Sequence, residues 1–181
     1  MAKIHGIELK GIKTFRDHEG ASIAQGNIYV EGKKVGEWSQ DSWGGPDIIR
    51  MNEGYSERAF YDAIKKVHPE SKKCKSRTHE FELEYDAEIL MSDLLKLNDE
   101  EKEFKQTIKK GYTHVCFVND GRYAVKYGIR TANGITDTLK RKITEAATKE
   151  GLNANSLDIS FKTSLDDFIV GEPISLQDIK A

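Results

Sequence analysis

One histidine of this sequence stands between two carboxylates, in the run Asp17-His18-Glu19, where it could act in general acid–base chemistry. Neighbouring carboxylates favour the charged form of an imidazole. Lys13 and Arg16 lie close in sequence, and cleavage of an RNA backbone needs cations beside such a group. His18 is therefore the one candidate catalytic residue. Because tight turns also prefer Asp and Gly, a solvated turn is the stronger interpretation of this segment.

No established catalytic or metal-binding motif accompanies His18. The sequence lacks a G-x-x-x-x-G-K phosphate loop, a G-x-S-x-G elbow, an H-E-x-x-H helix and a dinucleotide fingerprint. Five of the histidines and cysteines, between residues 68 and 116, could supply zinc ligands, but their spacing, H-x5-C-x4-H followed by H-x-C, matches no standard zinc finger. They are His68, Cys74, His79, His114 and Cys116. We therefore expect neither a metal site nor a cofactor.

A second kind of candidate site is a cluster of cations that follows the first predicted helix. Between residues 65 and 77 the chain contains a single acidic residue, Glu70. A basic loop of this kind can contact phosphate groups, although a solvated loop is an equally good interpretation. The candidate phosphate-binding residues are Lys72, Lys73, Lys75 and Arg77.

The net charge of −2 hides larger, opposite charges along the chain. Residues 80–104 include 2 basic and 10 acidic residues, whereas residues 105–151 include 10 basic and 4 acidic ones. Basic faces could bind a nucleic-acid backbone. Alternatively, the acidic block could occupy a basic groove on a protein partner. Solvated helix faces that pair with each other are the third interpretation.

Length and composition limit the class of protein. The 181 residues allow one domain or a small pair, and 38% hydrophobic with 32% charged residues excludes collagen-like and mostly disordered chains. No apolar run approaches the length of a membrane span, and the start MAKIHGIELK lacks the apolar region of a secretory signal. These features predict a globular cytoplasmic protein in which Cys74 and Cys116 stay reduced.

The first fifty residues have the pattern of an antiparallel three-stranded meander. Apolar and polar residues alternate from Ile7 to Phe15, a polar turn follows at 17–20, and β-rich runs cover 23–30 and 34–40. We assign this hairpin and meander to an N-terminal domain.

The N-terminal domain spans residues 1–52. A sheet of this size is only marginally stable by itself. Trp38 and Trp43 lie at the boundary of the meander. Because one buried Trp contributes a large apolar area, we expect both to anchor the core rather than to serve in exposed recognition.

Residues 53–181 predict an α+β domain with helices packed on a small, mostly antiparallel sheet. Helix starts are indicated by capping residues and hairpins by turn residues. The expected elements are a helix over 56–67, a second helix from Asp86, a third helix capped by Asn98, a hairpin turning at Asp120-Gly121, a helix from Thr136 and a strand over 157–161.

The run GIELKGIKTFRDHEG…GNIYVEGKKVGEWSQDSWGGPD, followed by a helix and an α+β region, resembles small proteins of Firmicute phages and plasmids. More narrowly, it resembles type II anti-CRISPR inhibitors, including a group whose N-terminal β-hairpin is needed for shortening the guide RNA. The resemblance covers the layout of the chain, weighted to residues 6–47. The polar positions available in its hairpin segment are Lys10, Lys13, Arg16, His18, Lys33 and Lys34.

This resemblance implies an inhibitor that binds the type II CRISPR nuclease together with its guide RNA, in the cytoplasm of a bacterial host. It also implies that the hairpin contacts RNA and that the guide RNA could be shortened, by the chemistry of either protein. The acidic segment 80–103 could then meet the positively charged channel of the nuclease. Two alternatives stay open: a stand-alone nucleic-acid-binding module of a mobile element, and a small ribonuclease centred on His18.

Overall fold

The computed structural model describes residues 1–68, 72–75 and 80–181, of which 72–75 and 80–83 are described by their backbone alone. The described part of the chain has the predicted α+β fold class. Its strands are β1 (Lys3–Ile4), β2 (Ile7–Arg16), β3 (Ser22–Val30), β4 (Lys33–Ser39), β5 (Ile48–Met51), β6 (Lys72–Lys75), β7 (Glu80–Leu83), β8 (His114–Asn119), β9 (Ala124–Ile129), β10 (Asp158–Lys162) and β11 (Ile169–Val170). Its α-helices are α1 (Glu57–Val67), α2 (Ala87–Lys109) and α3 (Asp137–Lys149).

The chain divides into two compact units. The first unit contains Met1–Asn98 and Ile169–Ala181, and the second contains Asp99–Phe168. These bounds differ from those of the expected domains 1–52 and 53–181, whose independence stays a prediction.

A six-stranded sheet forms the first unit, in the order β11-β1-β2-β3-β4-β5. All its neighbours are antiparallel except β1 and β11, and the expected meander of β2, β3 and β4 is confirmed. The turn from β3 to β4 has positive φ at both Glu31 and Gly32, the backbone twist that suits a two-residue hairpin.

A β-bulge interrupts the pairing of β2 with β3. Lys10 pairs with Asn27, but the next pair is Lys13 with Gln25, so β2 contains one extra residue. Gly11 takes a φ of 63° at this point. Since side chains alternate between the two faces of a strand, the extra residue places Lys10 and Lys13 on the same face.

The inner face of this sheet and helix α1 supply the core of the first unit. Trp38 is 1% exposed, and its Nε1 donates to Asp47 Oδ2 over 2.7 Å. Burial raises the pKa of Asp47, and the hydrogen bond from Trp38 opposes this. Helix α1 starts at the predicted cap Ser56, whose side chain accepts from the backbone N–H of Ala59.

Trp43 corrects one expectation, because it is not part of the core. Its side chain is 77% exposed, in the polar segment between β4 and β5 rather than in a strand. Trp38 occupies an inward position of β4, and the strand therefore buries it. The sequence pattern did not distinguish the tryptophan in the strand from the tryptophan in the segment that follows it.

The second unit contains the three-stranded antiparallel sheet β10-β8-β9. The hairpin at Asp120-Gly121, the helix start at Thr136 and the strand predicted over 157–161 are confirmed, although β11 follows that strand. Apolar residues of this sheet, of α3 and of the segment that follows α3 form one buried cluster: Cys116, Val118, Ile129, Ile143, Ala147 and Leu152. Burial raises the pKa of the Cys116 thiol to about 12, so this cysteine stays protonated and packs as a small apolar residue.

Helix α2 is continuous, and the predicted break at Asn98 is therefore wrong. The carboxylate of Asp86 caps its start by accepting from the backbone N–H of Ile89 over 2.9 Å. Asn98 lies in the interior, where its side-chain amide donates to the carbonyl of Leu94 over 2.8 Å. Burial of Leu90, Leu94, Leu97 and Phe104 along one helix favours continuation over a new start. Within the described residues, no helix is long and apolar enough to cross a membrane.

Alanine substitutions at Asp86 and Asn98 test this continuous helix. Asp86→Ala removes a capping acceptor and is expected to lower the free energy of unfolding by about 1 kcal/mol. Asn98→Ala is expected to leave it unchanged or raise it by up to about 0.5 kcal/mol, since Ala is the better helix former. Urea unfolding followed by circular dichroism measures both. A loss of about 1 kcal/mol for Asn98→Ala would indicate a helix start at Asn98 and contradict the continuous helix.

Candidate nucleic-acid interface

The outward face of the six-stranded sheet has polar side chains in register across four strands. One row runs from Lys10 on β2 through Asn27 and Glu37 to Arg50 on β5. Residues in directly opposed positions lie close enough to interact across the sheet. The row therefore places two cations and an amide on one continuous surface.

A second row lies beside the first, nearer the hairpin end. It joins Lys13, Gln25, Ser39 and Ile48. The two rows enclose a cavity of about 340 Å³ on the sheet surface. Its lining residues are Gly11, Lys13, Gln25, Gly26, Asn27, Glu37, Trp38, Ser39, Ile48 and Arg50.

Glu8 engages two of the lysines on this face. Its carboxylate oxygens lie 3.3 Å from Lys3 Nζ and 3.3 Å from Lys10 Nζ. The ammonium of Lys10 also lies 4.4 Å from the ring centroid of Tyr29, a cation–π distance. Lys10 is thus held in place by a carboxylate and an aromatic ring, and its charge is partly balanced.

Glu37 is bound by a lysine in the same way. Its Oε1 accepts from Lys34 Nζ over 2.6 Å. This hydrogen bond and the charge of Lys34 hold the pKa of Glu37 below its usual range, and Arg50 adds a smaller effect. Among the residues that the structure describes, Lys13 and Arg50 form no ion pair. These two cations line the cavity and are available to an anion.

The tip of the β2–β3 hairpin projects as an ordered, exposed turn. Asp17 Oδ1 accepts from the backbone N–H of Glu19 over 2.9 Å and of Ala21 over 2.7 Å. The guanidinium of Arg16 donates to the carbonyl of Gly20 over 2.7 Å. Asp17 therefore closes the turn rather than acting on the neighbouring imidazole.

His18 lies against an aromatic ring at this tip. Its imidazole is stacked on Trp43, with ring centroids 4.0 Å apart and planes tilted by 31°. Its Nε2 lies 3.7 Å from Glu19 Oε1, and its side chain is 41% exposed. Phe15, on the same hairpin, is also exposed. The tip thus combines an imidazole with exposed aromatic surface.

The predicted hairpin residues fall at three positions along the length of the meander, and they do not all lie on one face. Arg16 and His18 lie at one end of β3, whereas Lys33 and Lys34 lie at the other end, about 30 Å away for a nine-residue strand. Lys10 and Lys13 lie between them. The structure therefore does not gather these residues into one pocket but distributes them along the sheet.

The basic segment after α1 is described only in part. Lys72, Lys73 and Lys75 belong to β6, which pairs antiparallel with β7, and Lys73 is in register with Glu82. Arg77 and His79 lie outside the described residues. The role of these four cations in phosphate binding stays a prediction.

The arrangement at His18 is not that of a preformed catalytic centre or metal site. Acid–base cleavage of RNA uses a second proton-transferring group, and the carboxylate within reach of His18 is Glu19 alone in the described part of the chain. No three ligand-type side chains of the described residues converge to hold a metal ion. The geometry supports binding of a polyanion more directly than chemistry on it.

Arg50 and Asn27 are residues of this face that the sequence analysis did not single out, and it assigned Trp43, which lies against the hairpin tip, to the core. Arg50 stands in the short run Ile-Ile-Arg-Met, whose alternation is visible in the sequence. Its position opposite Glu37 in the sheet, however, is determined only by the pairing of β4 with β5. The Gly-Gly-Pro run after Trp43 did signal a loop, which is the one local sign of its exposure.

Comparisons of the chain with protein-family models, with curated proteins and with solved structures found no match.

Two glycine substitutions test the geometry of the bulge. Gly11 and Gly20 both have positive φ, 63° and 84°, which disfavours any Cβ. A Cβ on Gly20 would meet nothing within 4 Å, whereas one on Gly11 would lie 3.0 Å from Asn27 Nδ2. Gly20→Ala should therefore lower the free energy of unfolding by about 1 kcal/mol, and Gly11→Ala by about 2 kcal/mol or more. Equal losses in urea unfolding would contradict the close approach of the bulge to Asn27.

Proposed function

We propose that this protein is an anti-CRISPR inhibitor that binds the complex of a type II RNA-guided nuclease with its guide RNA, and that it contacts the RNA through the outward face of its six-stranded sheet. The observation that carries the proposal is the pair of cations, Lys13 and Arg50, that line a polar surface cavity without a carboxylate partner among the described residues.

The chemistry of this face suits a single-stranded RNA. Lysine and arginine neutralise phosphates, and the amides of Gln25 and Asn27 can hydrogen-bond to sugars and base edges. Exposed aromatic rings such as Trp43 offer a surface on which an unpaired base can stack. A sheet face with cations beside aromatic residues is a common platform for single strands.

The number of available cations argues for an RNA that a protein partner presents. Lys3, Lys10 and Lys34 are bound by Glu8 and Glu37, which leaves few charges for phosphate groups. Non-specific affinity increases with the number of phosphates neutralised, so a handful of contacts gives weak binding to free RNA. Tight binding then needs further contact with the nuclease, in keeping with the resemblance of residues 6–47 to nuclease inhibitors.

The acidic segment 80–103 supplies less free negative charge than its composition indicated. Glu84 forms an ion pair with Lys65, and Glu103 lies 2.9 Å from Lys126. We therefore place the main contact of the proposed complex on the sheet face, and the binding of the acidic segment in the basic channel of the nuclease becomes a secondary feature.

Neutralising the two unpaired cations should weaken binding to single-stranded RNA. For the double variant Lys13→Gln/Arg50→Gln, we expect at least about a tenfold loss in affinity at low salt and a salt slope smaller by about 1.4, or about 0.7 per lost phosphate contact. Fluorescence anisotropy over a salt series measures both quantities. The control is Lys140→Gln/Arg141→Gln, an equal change of charge on exposed residues of α3. Equal losses for the two double variants would indicate unspecific attraction and contradict the assignment of the face.

Inhibition of the nuclease tests the proposed partner. Wild-type protein should block DNA cleavage by a type II nuclease loaded with guide RNA, and Lys13→Gln/Arg50→Gln should need a higher concentration to do so, because it loses RNA contacts. Gel analysis of the guide RNA in the same reactions, with wild type and with His18→Ala, measures any shortening.

Two outcomes would redirect the assignment. Tight, steeply salt-dependent binding to free RNA without any effect on the nuclease would favour a stand-alone nucleic-acid-binding module. Shortening of guide RNA by the purified protein alone, lost in His18→Ala, would favour the small ribonuclease.

A further inference from the structure

A second cavity, of about 490 Å³, lies within the first unit, and its described lining includes none of the residues of the sheet face proposed to contact RNA. This volume falls in the usual range of small-molecule pockets, about 300–1,000 Å³. Most of the described lining is apolar, and four of the described side chains bring polar atoms to it. The lining residues are Ile4, His5, His68, Tyr85, Asp93, Val170 and Gly171.

The fold holds the imidazole of His5 firmly at this cavity. His5 is 5% exposed, and its backbone N–H donates to the carbonyl of Val170 over 2.7 Å. Its ring packs so closely on Gly171 that a Cβ there would lie 2.4 Å from the imidazole. Gly171 has a φ of 75°, so both its conformation and its lack of a side chain make room for this ring.

The hydrogen bonds of the two histidines determine which nitrogens carry protons. His5 Nδ1 lies 3.0 Å from the carbonyl oxygen of Glu172, which only accepts, so Nδ1 carries the hydrogen. In a neutral ring the other nitrogen of His5 is then an acceptor. It lies 3.3 Å from His68 Nδ1, which must donate to it. The remaining nitrogen, His68 Nε2, therefore carries a lone pair.

His68 Nε2 is available to a ligand. No described residue forms a hydrogen bond with it, and His68 is only partly buried. Its ring lies against Tyr85, with centroids 3.8 Å apart and planes tilted by 40°. The hydrogen bonds that run from the carbonyl of Glu172 through His5 to His68 fix the orientation of the His68 imidazole, as such bonds do for histidines in many binding sites.

Tyr85 adds a neutral, oriented group. Its hydroxyl donates to Asp93 Oδ2 over 3.2 Å. Burial and the nearby charge of Asp93 raise the pKa of Tyr85 well above its usual value, so it stays protonated. With its hydrogen engaged by Asp93, the phenol oxygen offers only acceptor capacity. The pocket thus presents acceptors beside the apolar side chains of its described lining.

We propose that this cavity binds a small aromatic molecule that carries one O–H or N–H donor, with the donor received by His68 Nε2. The apolar walls formed by Ile4 and Val170 suit the ring of such a molecule, and the lone pair of His68 selects for its donor. The site is independent of the proposed RNA face.

Two matched probes test the proposal: p-cresol, which has the donor, and toluene, which has the same ring and methyl group without it. We expect p-cresol to bind the full-length protein at least about tenfold more tightly than toluene, the effect of one good hydrogen bond. His68→Phe should bring the two affinities within about threefold of each other. The control is His114→Phe, the same change at a histidine outside the described lining of the cavity, and it should keep the preference. Two-dimensional NMR titrations measure the affinities.

The outcomes decide the proposal even if His68→Phe does not fold. Equal affinity of the wild type for both probes, or binding of neither, would overturn it. The nitrogen chemical shifts of the histidine rings give an independent readout. In their neutral forms, the rings of both His5 and His68 should carry the hydrogen at Nδ1. A His68 ring protonated at Nε2 would also overturn the proposal, because it could no longer accept from the ligand.

Discussion

The alternation of side chains along a β-strand constrains what the sheet face can bind. In a strand with regular alternation, Lys13 stands three positions after Lys10 and would lie on the opposite face of the sheet. The bulge resets the alternation, and the pairing of β4 with β5 adds Arg50 to the same surface. The cationic cavity therefore depends on one backbone irregularity more than on the number of lysines in the segment.

The carboxylates on this surface determine which cations remain available. Glu8 and Glu37 lie among five cations and bind three of them, which both orders the lysines and removes much of their long-range attraction for polyanions. In the proposed complex, such a surface would select for shape and hydrogen bonding more than for charge alone. Such selectivity suits recognition of a structured RNA–protein assembly better than coating of free nucleic acid.

Sequence reasoning recovered the elements whose signals are local. Caps and turns at Ser56, Thr136 and Asp120-Gly121 act within a few residues, and each is found where it was expected. The prediction of a helix start at Asn98 was wrong because a capping residue followed three positions later by Glu also occurs inside helices. Burial of apolar residues along α2 outweighs this local signal. The face containing Arg50 and the contact of His5 with His68 could not be foreseen, because both depend on pairings across long stretches of sequence.

Two hairpin turns place a non-glycine residue at positive φ, an unfavourable backbone conformation, and the side chains of these two residues differ in what they contact. His5 and Glu31 are the non-glycine residues with positive φ in the described chain, and each precedes a glycine in a two-residue turn. Asn, Asp and Gly meet this requirement more easily than either residue does. Glu31 is exposed, and nothing in the structure explains its choice. His5 instead buries its ring against Gly171 and bonds to a carbonyl and to His68, so the side chain, rather than the turn, accounts for a histidine at this position.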